Sequence, residues 1–216
     1  MKTFINKWYQ VGALFFVLIT IYLVVVQPEY SATKFLLILN LLALFAHQFE
    51  EYQFPGGAPL IINRVVYDET KRVDHYPGNS LSIMLVNVSA WVIYAFSIEF
   101  STIYWFGTGI IFFSLFQILG HVLQMNIKLK TWYNPGMFTT IFFFTPIGML
   151  YLREVIENNL VEGWQWAWAI LVFIGSILIS IVAPVQLLKN EKTRYVIAPW
   201  QVERFNKIMA FAKIKK

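Results

Sequence analysis

The chain has no cysteine among its 216 residues, so disulfides and thiolate metal ligands are excluded. Charge is scarce as well. Asp, Glu, Lys and Arg together make 13% of the chain, about half the fraction of an ordinary soluble domain. Histidine occurs only as His47, His75 and His121, which leaves few positions for metal or acid–base chemistry. The alternation of apolar and polar residues that a membrane β-strand requires is also missing.

What is present is apolar residue in long blocks: 58% of the chain is hydrophobic and 18% aromatic. Each block is near the roughly 20 residues that cross a bilayer as a helix. The expectation is an all-α polytopic transmembrane bundle of six spans, near Trp8–Gln27, Lys34–Tyr52, Ser80–Phe96, Ile103–Asn126, Met137–Leu152 and Gln165–Leu188. Pro28, Pro55-Gly56-Gly57, Pro77-Gly78-Asn79 and Asn134-Pro135-Gly136 punctuate the blocks as turn and helix-start signals. Pro135 suits the first turn of the fifth span, where a missing N–H costs nothing. The first span follows Lys2 and Lys7 and has no A-x-A-like site after it, so it reads as a retained span rather than a cleaved signal.

Loop charge orients the bundle. Of the 17 lysines and arginines, 15 fall in the N-terminus, the second and fourth loops and the C-terminal tail. The positive-inside rule makes that side cytoplasmic, with both termini inside and the protein in the cytoplasmic (inner) membrane. The division expected is a six-span domain over 1–188 and a basic amphipathic tail over 189–216. In the tail, Trp200, Phe205, Ile208, Met209 and Ala212 recur at near-helical spacing among Arg204, Lys207, Lys213, Lys215 and Lys216. That pattern predicts a helix lying on the anionic leaflet, with membrane lipids as its partner. The net charge of +5 needs no nucleic acid to explain it.

His47-Gln48-Phe49-Glu50-Glu51 places an imidazole and two carboxylates on one turn of the second span. Ionisable groups inside a membrane are expensive and read as functional sites by default. Residues three and four apart share a helix face, so His47, Glu50 and Glu51 point one way, with Asn40 two turns earlier. In the fourth span Gln117, His121 and Gln124 form a second polar stripe, followed by Asn126 and Tyr133. The inferred orientation brings both stripes to the cytoplasmic end. Asn87, about two turns into the third span, joins Glu50 as a catalytic candidate. Glu99, Glu154 and Glu157 fall at the opposite end.

Two imidazoles and two carboxylates suit a divalent metal, zinc or iron by ligand type. The expected ligands are His47, Glu51 and His121, with Glu50 as general base or fourth ligand; spacing does not tell Glu50 from Glu51. Three protein ligands and one open position make a site of the catalytic type. A di-iron centre normally takes four carboxylates, and two are present. Each residue also has a structural use. The glutamates end a span at its boundary, Gln117, Gln124 and Asn87 join helices by hydrogen bonds, and His75 is a solvated loop histidine beside Asp74.

His47-Gln48-Phe49-Glu50-Glu51 with Pro55-Gly56-Gly57, then Gly120-His121 to Asn126, then Tyr133-Asn134-Pro135-Gly136 with Thr139 and Thr140, resemble the HXXEE family of small bacterial integral membrane proteins. The resemblance spans about Phe35 to Val185 and carries no established activity. It implies motif roles for His47, Glu50, Glu51 and His121, and structural roles for Pro135 and Gly136. A looser similarity is to intramembrane prenyl-protein proteases. They carry an arginine where Pro55 stands, and an asparagine four residues after the later histidine; here Asn126 stands five after His121.

The leading functional expectation is a membrane-embedded, metal-dependent, hydrolase-like enzyme acting on a lipidic or amphiphilic substrate from the cytoplasmic half of the bilayer. A proton-coupled permease is the alternative, although no internal duplication marks the two halves. A non-enzymatic membrane scaffold is the third.

Overall fold

Caps and turns decide where the helices begin. Ser31 accepts the Lys34 N–H at 3.3 Å and opens the second helix; Asn79 and Ser82 form a reciprocal capping box that opens the fourth. The computed structural model describes residues 2–213. Its helices are α1 (Lys2–Val26), α2 (Ala32–Tyr52), α3 (Ala58–Val65), α4 (Ser80–Glu99), α5 (Tyr104–Leu129), α6 (Met137–Glu157), α7 (Gln165–Leu188) and α8 (Pro199–Phe211). Among the described residues there is no strand.

Six of these, α1, α2, α4, α5, α6 and α7, are long and apolar enough to cross a membrane. The chain is built as an integral membrane protein, and its spans fall where the apolar blocks lie. A helix satisfies its own backbone hydrogen bonds, which hydrocarbon cannot do. α2 is the central element: 61% of its most apolar 18 residues is buried, against 11% in α1. Around it pack α1, α4, α5 and α6. Leu41, Leu42, Leu44 and Phe45 of α2 meet Ala90 and Tyr94 of α4, Ile110 and Phe113 of α5 and Phe144 of α6.

Helical regularity breaks inside three spans. Ile118–Met125 of α5, Thr140–Phe144 of α6 and Ile177–Val182 of α7 are π-helical. Such stretches bond i to i+5 and widen the turn by about one residue. In α5 the consequence is local and large. His121 is buried while Gln124 is exposed, so the stripe expected from Gln117, His121 and Gln124 does not form. The stripe assumed an α-helical period that this segment lacks.

The end of the bundle beneath α2 holds two more helices. α3 is a short helix in the second loop, where the sequence pattern predicts no helix. α8 packs part of its apolar face on protein: Phe205 and Ile208 are buried with Leu60, Ile61 and Val65 of α3 and Met125 and Leu129 of α5. Periodicity shows that a helix has an apolar face, not what covers it. α8 also caps α2. Gln201 Nε2 and Arg204 donate to the Tyr52 carbonyl at 2.6 and 3.0 Å, and Gln201 Oε1 accepts the Gly57 N–H at 2.7 Å. Gly57 sits at φ +91°, and a Cβ there would stand 2.8 Å from the Phe205 nitrogen. The tail is thus tied to the motif segment. Lys215 and Lys216 of the tail, and the side chain of Lys2, lie outside the described residues.

Candidate metal centre

On the last turns of α2 only Phe49 is exposed; His47, Gln48, Glu50, Glu51 and Tyr52 are all buried. The turn therefore has two polar faces. Along one of them His47 and Glu51, one turn apart, meet His121 from the π stretch of α5. His47 Nε2 lies 3.7 Å from one Glu51 oxygen, and His121 Nε2 lies 3.4 Å from the other. The imidazoles stand edge to face, with centroids 4.9 Å apart. All three side chains are desolvated, at 3%, 6% and 2% exposure for His47, Glu51 and His121. One ligand atom from each lies within 4.8 Å of the others, and the three could hold a metal ion.

Hydrogen bonding fixes which nitrogen of each ring carries the proton. The Asn134 amide nitrogen donates to the His121 carbonyl at 2.7 Å and to Asn126 Oδ1 at 2.8 Å. Its Oδ1 is then the atom 2.9 Å from His121 Nδ1, so His121 donates from Nδ1. At His47, Nδ1 lies 2.9 Å from Thr139 Oγ1. The one hydroxyl proton of Thr139 goes to Glu50 at 2.6 Å, so Thr139 accepts from His47 Nδ1–H. Both Nε2 atoms are left with bare lone pairs, and both face Glu51. A hydrogen-bond acceptor held against one imidazole nitrogen is what orients the other toward a metal.

Gly136 lets the rings come this close. Its φ is +99°, and a Cβ there would stand 2.7 Å from His121 Nδ1 and 2.8 Å from His47 Cε1. Phe144 closes the apolar side, its ring 5.2 Å from that of His47.

Glu50 is placed differently from its neighbour. One oxygen accepts from the Tyr133 hydroxyl at 2.8 Å and the Phe138 N–H at 3.1 Å; the other accepts from the Thr139 N–H at 2.8 Å and its hydroxyl. These four donors occupy the lone pairs that a general base or a fourth ligand would use. Burial, with the bond to Glu50, holds the Tyr133 phenol well above its usual range, so it stays a neutral donor. Asn87, the other expected catalytic residue, lies on the second polar face of α2. Its amide accepts from Gln48 Nε2 at 3.1 Å and donates to the Tyr52 hydroxyl at 2.9 Å. It is not brought to the histidines. Asn126 backs Asn134 and gives its own amide N–H to the Met137 sulfur. Glu157 pairs with Arg153, and His75 with Asp74, away from the cluster.

A family model described as a protein of unknown function with HXXEE motif matches residues 38–151. The chain belongs to the HXXEE family. No curated protein and no solved structure matches it. The HXXEE match contains His47, Glu50, Glu51, His121, Asn134, Gly136 and Thr139, and it leaves out α1, α7 and α8. The cluster and the groups that orient it all lie within the matched residues. Asn134, Gly136 and Thr139 entered the sequence reading only through resemblance or as turn formers. Their signal was Asn-Pro-Gly followed by two threonines at the start of a span.

Proposed function

We propose that this HXXEE protein binds one divalent ion, zinc by preference, between His47, Glu51 and His121, and uses it on an amphiphilic substrate that enters from the membrane. The observation that carries the reading is the convergence of two Nε2 lone pairs and a carboxylate in the desolvated interior. Without a cation, two acceptor nitrogens would share at most the one carboxyl proton of Glu51 where water cannot reach them.

Zinc ligands at about 2.0–2.1 Å in a tetrahedron stand about 3.3–3.4 Å apart. The Glu51 contacts of 3.7 and 3.4 Å, one from each carboxylate oxygen, lie near that edge, and the three ligand atoms, within 4.8 Å of one another, would close inward to reach it. Two imidazoles and one carboxylate also favour zinc or iron over calcium and magnesium, which take oxygen ligands. Three protein ligands leave a fourth position free, as in catalytic rather than structural zinc sites. The ion would supply Lewis acidity to a carbonyl or phosphoryl oxygen. Hydrolysis of a lipid-like substrate is the chemistry this supports. The site's place near the end of α2, beside the lysine- and arginine-rich loops, supports access from the interfacial, cytoplasmic half of the bilayer.

Metal analysis of protein purified in detergent from zinc-supplemented cells tests the first half. One ion per chain is expected in the wild type and none in His47→Ala. A metal-free wild type would end the reading. The second half is tested by incubating the zinc-loaded protein with extracted lipids and following products by mass spectrometry. Turnover absent from Glu51→Gln is the expected result.

A further inference from the structure

The family motif contains two adjacent glutamates, and the geometry gives them different work. We propose that Glu50 is a positioning residue: through Thr139 it sets the tautomer and aim of His47, and it buckles the connection between α5 and α6 over the metal centre. This rests on reading His47, Glu51 and His121 as that centre.

Glu50 reaches from the end of α2 to the start of α6. There it accepts the backbone N–H groups of Phe138 and Thr139, in the first turn after Gly136. Those N–H groups have no partner within their own helix, and a carboxylate is the favoured group to satisfy them. Glu50 is thus an N-terminal cap for α6 delivered from another helix. The same carboxylate takes the Thr139 hydroxyl proton. That choice of direction obliges Thr139 to accept from His47 Nδ1. The order of donation is His47 Nδ1–H to Thr139, then Thr139 O–H to Glu50. It ends with the His47 Nε2 lone pair facing Glu51.

The chain of donation requires a group that only accepts. Each Glu50 oxygen already faces one backbone N–H, from Phe138 on one side and Thr139 on the other. In Glu50→Gln, either orientation of the amide sets an NH2 against one of them. With the NH2 toward Thr139, the hydroxyl must turn and donate either to the Gly136 carbonyl, 3.3 Å away, or to His47 Nδ1. In the second case His47 would carry its proton on Nε2 and aim it at Glu51. With the NH2 toward Phe138, the cap on α6 is broken instead. Thr139→Val cuts the link to His47 and leaves the two backbone caps in place.

The test uses the full-length protein in detergent, with zinc affinity measured by competition with a chromogenic chelator. Imidazole 15N shifts are recorded on the metal-free protein; with three histidines the spectrum is simple to assign. Glu50→Gln and Thr139→Val are each expected to weaken zinc about 10–100-fold, keeping one ion per chain, whereas Glu51→Gln abolishes binding. Metal-free wild type should show His47 protonated on Nδ1, with that preference lost in Thr139→Val. Complete loss of zinc in a folded Glu50→Gln would make Glu50 a ligand and overturn the proposal. So would unchanged affinity and unchanged 15N shifts in both variants. If wild type binds no zinc, the metal reading fails by itself, and the nitrogen spectrum still decides the proposal: a wild-type His47 protonated on Nε2 sinks it. If Glu50→Gln does not fold, Thr139→Val carries the same two readouts.

Discussion

Two faces of the last turns of α2 are equally buried and equally polar, yet they differ in what they leave over. On one, Gln48 accepts from the Trp91 indole at 2.6 Å and donates to Asn87, and Asn87 donates to Tyr52 and to the Ile83 carbonyl. Every donor of both amides has an acceptor, and every side-chain oxygen has a donor. On the other face, Glu50, Thr139 and Asn134 also satisfy what they touch, but they do so in a way that leaves two imidazole lone pairs and Glu51 pointing at one another. The first network is complete and joins α2 to α4. The second leaves three acceptors facing one another, which a shared cation or proton would join. Burial of polar groups in a membrane helix does not by itself mark a site; lone pairs from several side chains converging on one point do.

Removing a ligand should separate the faces most sharply. Glu51→Gln is expected to take zinc from one ion per chain to none in metal analysis, while Gln48→Leu keeps the full complement. If Gln48→Leu also loses the ion, the two faces are not independent and the comparison fails. Gly136→Ala comes next in size. A side chain at φ +99° costs about 1–3 kcal/mol in backbone strain. Its Cβ would also collide with both imidazoles. A fall in thermal unfolding midpoint together with weaker zinc binding is expected. A fall in stability with unchanged affinity would show that the rings do not depend on the close approach of this loop.

The fold was largely legible before any coordinate. Continuous apolar blocks have one stable solution in a bilayer, and the six spans lie where those blocks lie. Half of the site was legible for a similar reason: His47 and Glu51 are one helical turn apart, so they share a face wherever α2 packs. Glu50 and Glu51 could not be told apart because they are neighbours in sequence. Where α6 begins decides which of them meets backbone N–H groups and which meets His121. Asn134 and Thr139 act through a connection whose path depends on long-range packing. His121 was found, but its supposed companions Gln117 and Gln124 were not, since a π stretch shifts the phase that the spacing argument assumed. The tail helix was legible from its period, but its contact with α3 was not, because periodicity marks an apolar face without saying what meets it.

Smaller effects test the complete network. Gln48→Leu strands the Trp91 N–H and the Asn87 oxygen. Interhelical hydrogen bonds in membranes are worth about 1 kcal/mol each. A loss of about 1–2 kcal/mol in stability is expected, with zinc affinity unmoved. Measuring unfolding midpoint and chelator competition on one preparation gives both numbers.

Asn40 makes the finest probe, since it belongs to neither network. It lies seven residues before His47, on the same face of α2, and it is fully buried with neither amide atom paired in the protein. A buried amide without partners is destabilising, and an apolar group of similar shape removes that burden. Asn40→Leu is therefore expected to hold or raise the unfolding midpoint, by at most about 1–2 kcal/mol, and to leave zinc affinity as it was. The opposite result would be more instructive. If leucine lowers stability or weakens the ion, the amide is serving a polar group that passes through the middle of the membrane. The run of polar groups would then extend from the metal centre along α2 into the far half of the bilayer. In that case a permeation path, rather than a catalytic pocket opening at one end, becomes the better account of His47, Glu51 and His121.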